Sequence, residues 1–157
     1  NVVGTFQAFA SETIVVGNNC MLKYPSALVI NEDKLNISQE LITQPHQQHG
    51  SAITIDNNTT HKGVVLYLGQ QKLNNYEPQV LINTGAKIIG EVYCNQNTEL
   101  LGSVFGTVFT SNFIAKQSGS IYQNHIYNGT INIDELQQEY VGLPFDKSKK
   151  GVLKWLY

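Results

Sequence analysis

The stretch GSVFGTVFT, residues 102–110, says Gly-x-Val-Phe twice in succession. This doubled phrase constrains the fold more than any other feature. In an extended chain, residues two apart share a face. A straight strand would therefore set Val104, Gly106 and Val108 on one side and Phe105 and Phe109 on the other. A bend at Gly106 instead lets two consecutive short strands both aim an aliphatic residue inward. Glycine suits such a corner because it has no side chain to place there.

The phrase has neighbours. Ile88-x-Gly90-x-Val92-Tyr93 precedes it, and Ser120-Ile121-Tyr122 and His125-Ile126-Tyr127 follow. The repeat is approximate and its glycine spacing varies. That is the signature of a β-solenoid, in which coils of about 20 residues stack and turns tolerate insertions. The expected fold is all-β, a β-solenoid of stacked short strands. The competing expectation is a β-sandwich. Hairpin signals are scarce, with Asn128-Gly129 the one clear case.

Short runs rich in Val, Ile, Leu, Tyr and Phe continue along the chain, from Glu12–Val16 to Thr130–Ile133, separated by NN, NNTT, NTGA and YNG. Three segments depart from this. Asn36–Gly50 is polar and Gln-rich and reads as an excursion loop. Asp134–Tyr140 reads as a short helix behind an Asp N-cap. GVLKWLY, at the end, is too apolar for a free tail and is expected to dock. The chain is therefore expected to be one domain over 1–157, with its clearest repeats at 86–133 and a C-terminal cap at 134–157.

Charge narrows the function classes. Charged residues are 14% of the chain and the net charge is −2. All ten basic residues are Lys, and no basic run exceeds Lys149-Lys150. A nucleic-acid partner calls for a basic footprint, so none is expected. No stretch approaches a membrane span of about 20 apolar residues. Cys20 and Cys94 fit three readings from sequence: small buried hydrophobes, a disulfide, or a reactive thiol.

KIIGEVYC, ELLGSVFGTVF and GSIYQNHIYNG resemble the repeats of the bactofilins, bacterial polymer-forming proteins built as right-handed parallel β-helices. The resemblance covers roughly residues 86–133 and implies that the solenoid is a single-stranded right-handed parallel β-helix. KYPSALVI, YVGLPF and KKGVLKWLY also resemble a family of uncharacterised envelope-associated bacterial proteins. These resemblances imply a periplasmic or surface-exposed place in the bacterial cell envelope, with an anchor preceding residue 1 and membrane contact only through that segment. They also imply a partner that is either the protein itself or an envelope component. The excursion loop and apolar tail depart from the bactofilin pattern. A tail docked over the terminal coil would close the end a polymer needs open.

Chemistry is thinly signalled. HQQH brings His46 and His49 together, and His61 follows beyond Asp56. Zinc needs three or four converging ligands, and this spacing matches no zinc motif. No metal or cofactor is expected. Glu91 and Glu99 are expected to face solvent as neighbours, without the marks of a glycosidase pair. No nucleophile elbow or phosphate loop is present, so an enzyme is not expected. Tyr67, Tyr93, Phe105, Tyr122 and Tyr127 each follow an aliphatic residue expected to point inward, so an outer aromatic face is expected. The leading expectation is a non-catalytic structural or scaffolding module, self-assembling in one version. The other is a module that binds a cell-surface polysaccharide or protein through that aromatic face.

Overall fold

The computed structural model describes residues 1–32, 50–70, 74–138, 140 and 142–143. Among them the chain is all-β, eleven strands in a curled, largely parallel sheet that closes to a half-barrel. The strands are β1 (Val3–Gly4), β2 (Gln7–Ala10), β3 (Ile14–Val16), β4 (Met21–Asn31), β5 (Ile53–Ile55), β6 (Thr60–Leu68), β7 (Val80–Ile82), β8 (Lys87–Leu100), β9 (Ser103–Gln117), β10 (Ser120–Gln123) and β11 (Thr130–Asn132). Within this sheet only β10 runs antiparallel to its partner, β9.

Strand pairing joins each stretch of chain to the next one along. β4 pairs with β6, β6 with β8 and β8 with β9, while β3, β5 and β7 form a second run that ends on Thr98–Leu100 of β8. Side chains therefore stack in columns. One inward column is Leu22, His61, Ile88 and Val104. A second is Leu28, Val65, Val92 and Val108. Across the interior stand Ile53, Val80 and Thr98, and beside them Val16, Ile55, Ile82 and Leu100. Nearly all of these are fully buried. At about 1.5–3 kcal/mol per buried aliphatic side chain, the columns supply most of the driving force.

The bend expected at Gly106 is present and is repeated. Gly63, Gly90 and Gly106 occupy one column, with φ of 136°, 144° and 146°. Side-chain-bearing residues rarely adopt this backbone. A Cβ on Gly90 would also overlap the carbonyl oxygen of Gly63, and one on Gly106 that of Gly90. The corner thus excludes any side chain by both backbone conformation and close approach. Ser26 heads the column, where a bulge between Leu22 and Ser26 makes the turn instead. Ser26 Oγ accepts from the Phe6 N–H at 3.0 Å.

The other two corners use amides. After Val16, Ile55 and Ile82 the chain turns through Asn19, Asn58 and Gly85, all with positive φ. Asn tolerates this left-handed region better than other side chains. The Thr59 hydroxyl ties two such turns, donating to Gly17 O at 2.7 Å and accepting from Cys20 N–H at 3.2 Å. At the third corner the β8–β9 register shifts between Cys94 and Asn97, and side chains replace the lost ladder. Asn97 donates to Asn75 O (2.7 Å) and Glu77 O (3.2 Å), and accepts from Asn112 (3.1 Å). Such amides are costly if left unpaired in a buried place, so their mutual bonding is what makes the corner tenable.

Several expectations need correcting. Asp134–Tyr140 forms no helix among its described residues; two turns close it, Leu136 N–H to Ile133 O and Tyr140 N–H to Gln137 O. The Asp134 N–H instead donates to Asn132 Oδ1 at 3.2 Å. The hairpin lies not at Asn128-Gly129 but at Ser118–Gly119, both of positive φ, between β9 and β10. Asn128-Gly129 instead leads into β11, which is parallel to β9. β1 and β2 carry too little pattern to be read from sequence. Nearly all of the expected Asn36–Gly50 excursion, with His46 and His49, and the GVLKWLY tail lie outside the described residues.

Candidate functional site

The five aromatic residues expected on one outer face fall into four places. Tyr67 contradicts the expectation: it is fully buried, in the inward column of Ile30 and Cys94. Its hydroxyl donates to Glu32 Oε1 at 2.8 Å, and burial pushes the phenol pKa up. An aromatic ring with a polar tip suits a position where the apolar body is buried and the tip reaches a corner. Counting from the corner glycine would have shown this. Tyr67 is four residues past Gly63, an even and inward position, whereas Tyr93 and Phe109 are three past Gly90 and Gly106.

Tyr93 and Phe105 do face outward, but in different columns. Phe105 stacks on Ile89, and Lys87 Nζ lies 5.5 Å from its ring centre. Tyr93 belongs to a longer apolar column, Phe9, Val29, Leu66, Tyr93 and Phe109. The Tyr93 and Phe109 rings are 6.4 Å apart. Phe109 was missed as a site residue, although the doubled phrase sets it in the same relation to its glycine as Tyr93. Tyr122 and Tyr127 are exposed on and after β10, with Tyr122 6.1 Å from the His125 ring.

Beside Tyr93 and Phe109 lies an open cleft of about 430 Å³, bordered by Asn95, Val108, Thr110 and Ser111. Aromatic rings next to amides and hydroxyls could in principle hold a sugar, but these polar groups are engaged within the protein. The Asn95 side chain donates to Gly69 O (2.7 Å) and accepts from Gly69 N–H (3.0 Å). The Ser111 hydroxyl donates to Asn95 O, and that of Thr110 lies 3.0 Å from both Gln96 O and Asn112 O. The cleft thus sets two aromatic rings beside a largely polar lining whose amide and hydroxyl groups already take part in bonds within the protein.

The titratable residues are likewise occupied. His61, one of three imidazoles considered for a metal, is fully buried between Leu22 and Ile88. Its Nε2–H donates to Val64 O at 3.2 Å and its Nδ1 has no partner among the described residues. Burial pulls its pKa down to about 4. An apolar column is no place for a cation, and the described residues contain no group of three or more His, Cys, Asp or Glu able to hold one. Glu91 and Glu99 do not form the solvent-facing pair expected of them. Glu99 is buried past the third corner and accepts from Lys116 N–H at 3.2 Å. Glu91 lies on the far side of that corner, where Oε2 accepts from Leu143 N–H at 2.6 Å. The corner between them carries their side chains to different walls.

Glu91 is one anchor of a strap. After β11 the chain crosses back over the glycine corner. Lys87 pairs with Glu135 at 3.3 Å, Tyr140 packs on Tyr24 with rings 6.2 Å apart, and the Tyr140 hydroxyl lies 3.4 Å from Gly63 O. The turned glycine backbone is thus covered where it is barest.

Cys20 and Cys94 are both free and buried. Of the three sequence readings the structure selects small buried residues. Burial pushes the Cys94 thiol up to about 11, and its Sγ–H lies 3.4 Å from Asn97 O. No helix among the described residues is long and apolar enough to cross a membrane.

No protein-family model matches the chain, nor does any curated protein or solved structure.

Proposed function

We propose that this chain is a non-catalytic structural module, a rod of stacked parallel coils that scaffolds by assembling with itself. In finer terms the curled sheet is read as a right-handed parallel β-helix. Successive partners in one ladder, Met21, Thr60, Lys87 and Ser103, are thirty-nine, twenty-seven and sixteen residues apart. Sixteen is then the bare coil, and the longer steps carry insertions at the corner that follows Asn31 and Leu68. The right hand follows from strand twist, which favours right-handed crossovers between parallel strands in nearly all known cases.

The observation that carries this reading is the glycine column. Gly63, Gly90 and Gly106 are fixed by conformation and by contact, with no ligand-facing group among them. The strongest sequence signal in the chain therefore serves shape. The amides and carboxylates that could serve chemistry instead hold corners and the strap: Asn97, Asn112, Glu99 and Glu91. Placement in the bacterial cell envelope, with an anchor before residue 1, rests on the sequence resemblance. Fractionation of cells producing the native protein tests it.

Static light scattering over a concentration series, with negative-stain images at the highest concentration, tests the assembling function. A mass that climbs with concentration supports it, and a monomer throughout counts against it.

A further inference from the structure

The two ends of the sheet differ, and the N-terminal end is an open edge. β1 and β2 pair only with β4, and β3 only with β5, so no described strand covers their outer sides. Ala8, Ala10 and Ile14 continue the inward columns but are only partly buried, whereas the residues beneath them are nearly or fully enclosed. Around this rim Val3 is 61% exposed, Val15 62% and Phe9 72%.

Natural edge strands are usually guarded against pairing by lysine, proline, a bulge or a covering segment. This one has no such residue. Residues 1–16 contain no Lys and no Pro, and Glu12 is their only charged side chain. An edge nearly free of charge does not repel a second copy of itself. Unpaired N–H and C=O groups on one such edge are matched by those of an identical edge turned end for end. A two-fold contact of this kind is closed and self-complementary.

The opposite end does not match it. β11 covers β9 only over Ser103–Phe105, and β10 lies antiparallel against Ile114–Gln117. Its strand edges stand at different levels and in mixed directions, so three parallel edges cannot continue onto it.

We propose that the N-terminal edge, β1 to β3, pairs antiparallel with the same edge of a second copy of this chain. This rests on the self-assembling reading above and names its contact surface. Sixteen residues a side is below the roughly 20–30 of a standard interface, so the contact is weak and concentration-dependent.

The test compares the chain with the double variant Phe9→Lys/Val15→Lys by light scattering from low to high micromolar concentration, with circular dichroism as the check on folding. Both positions point outward and are exposed, so the core is untouched. The expected result is a parent mass that rises with concentration and a folded variant whose mass is about half the parent's at the top concentration. A parent that assembles together with a variant of unchanged mass overturns the edge pairing and leaves self-assembly standing. A parent that stays monomeric overturns both. Should the double variant misfold, Val15→Lys alone makes the same comparison, and unchanged assembly overturns the pairing.

Discussion

Acidification should weaken this protein through one residue, His61. The ring is enclosed between Leu22 and Ile88, and its pKa falls from 6.5 to about 4. Because the folded pKa lies below the unfolded one, the unfolded chain binds the proton more tightly. Stability is therefore full above about pH 6.5, declines as pH falls, and stops declining near pH 4. Each tenfold difference in proton affinity is worth about 1.4 kcal/mol, so the whole effect is about 3 kcal/mol, of which about 2 kcal/mol is already lost at pH 5. Carboxylates titrate mostly below that point, so pH 7.5 to 5 isolates the histidine. The assay is urea unfolding of the parent and of His61→Leu at pH 7.5, 6.5, 5.5 and 5. Leucine fills a similar volume and removes the unpaired Nδ1, so the variant should be within about 1–2 kcal/mol of the parent at pH 7.5. Its stability should then stay nearly flat to pH 5. Parallel pH dependences for the two proteins would refute the reasoning.

Other expectations follow from the corners, the thiol and the strap. Gly90→Ala forces a side chain into the Gly63 carbonyl at φ 144°, and should cost more than about 3 kcal/mol in chemical unfolding or abolish soluble expression. Gly17→Ala, where a Cβ meets nothing within 4 Å, should cost less than about 1 kcal/mol in the same assay. Cys94 should not react with a thiol reagent at pH 8 until denaturant is added, since it is buried and its pKa is held near 11. Glu91→Ala removes the acceptor for Leu143 N–H, and should raise amide exchange around Tyr140–Leu143 while lowering the unfolding midpoint only slightly.

The glycine corner was legible in the sequence because its cause is local: a strand that must bend leaves a glycine between two inward valines. The parallel, all-β character followed from the same repeat. Tyr67 was not legible by the rule that an aromatic after an aliphatic points out, because burial is counted from the corner and not from the preceding residue. His61 was at most a weak ligand candidate beside HQQH, and its neighbours in space come from strands thirty-nine residues before and twenty-seven after it. The separation of Glu91 from Glu99 and the hairpin at Ser118–Gly119 depend on where the chain leaves one wall for the next. A spacing alone does not encode that. The open edge needed the topology, since β1 and β2 are too short to announce themselves.

The central claim is that consecutive stretches of chain stack in parallel, with Gly63, Gly90 and Gly106 in one column. Nuclear Overhauser contacts among backbone protons test it most directly, on protein labelled with ¹³C and ¹⁵N. The account predicts contacts linking Gly63 to Gly90 and Gly90 to Gly106, with Ile88–Val104 and Val92–Val108 contacts running in the same direction along the two strands. Contacts that instead pair residues 87–94 with 103–110 in reverse order would mean an antiparallel sheet and would contradict it.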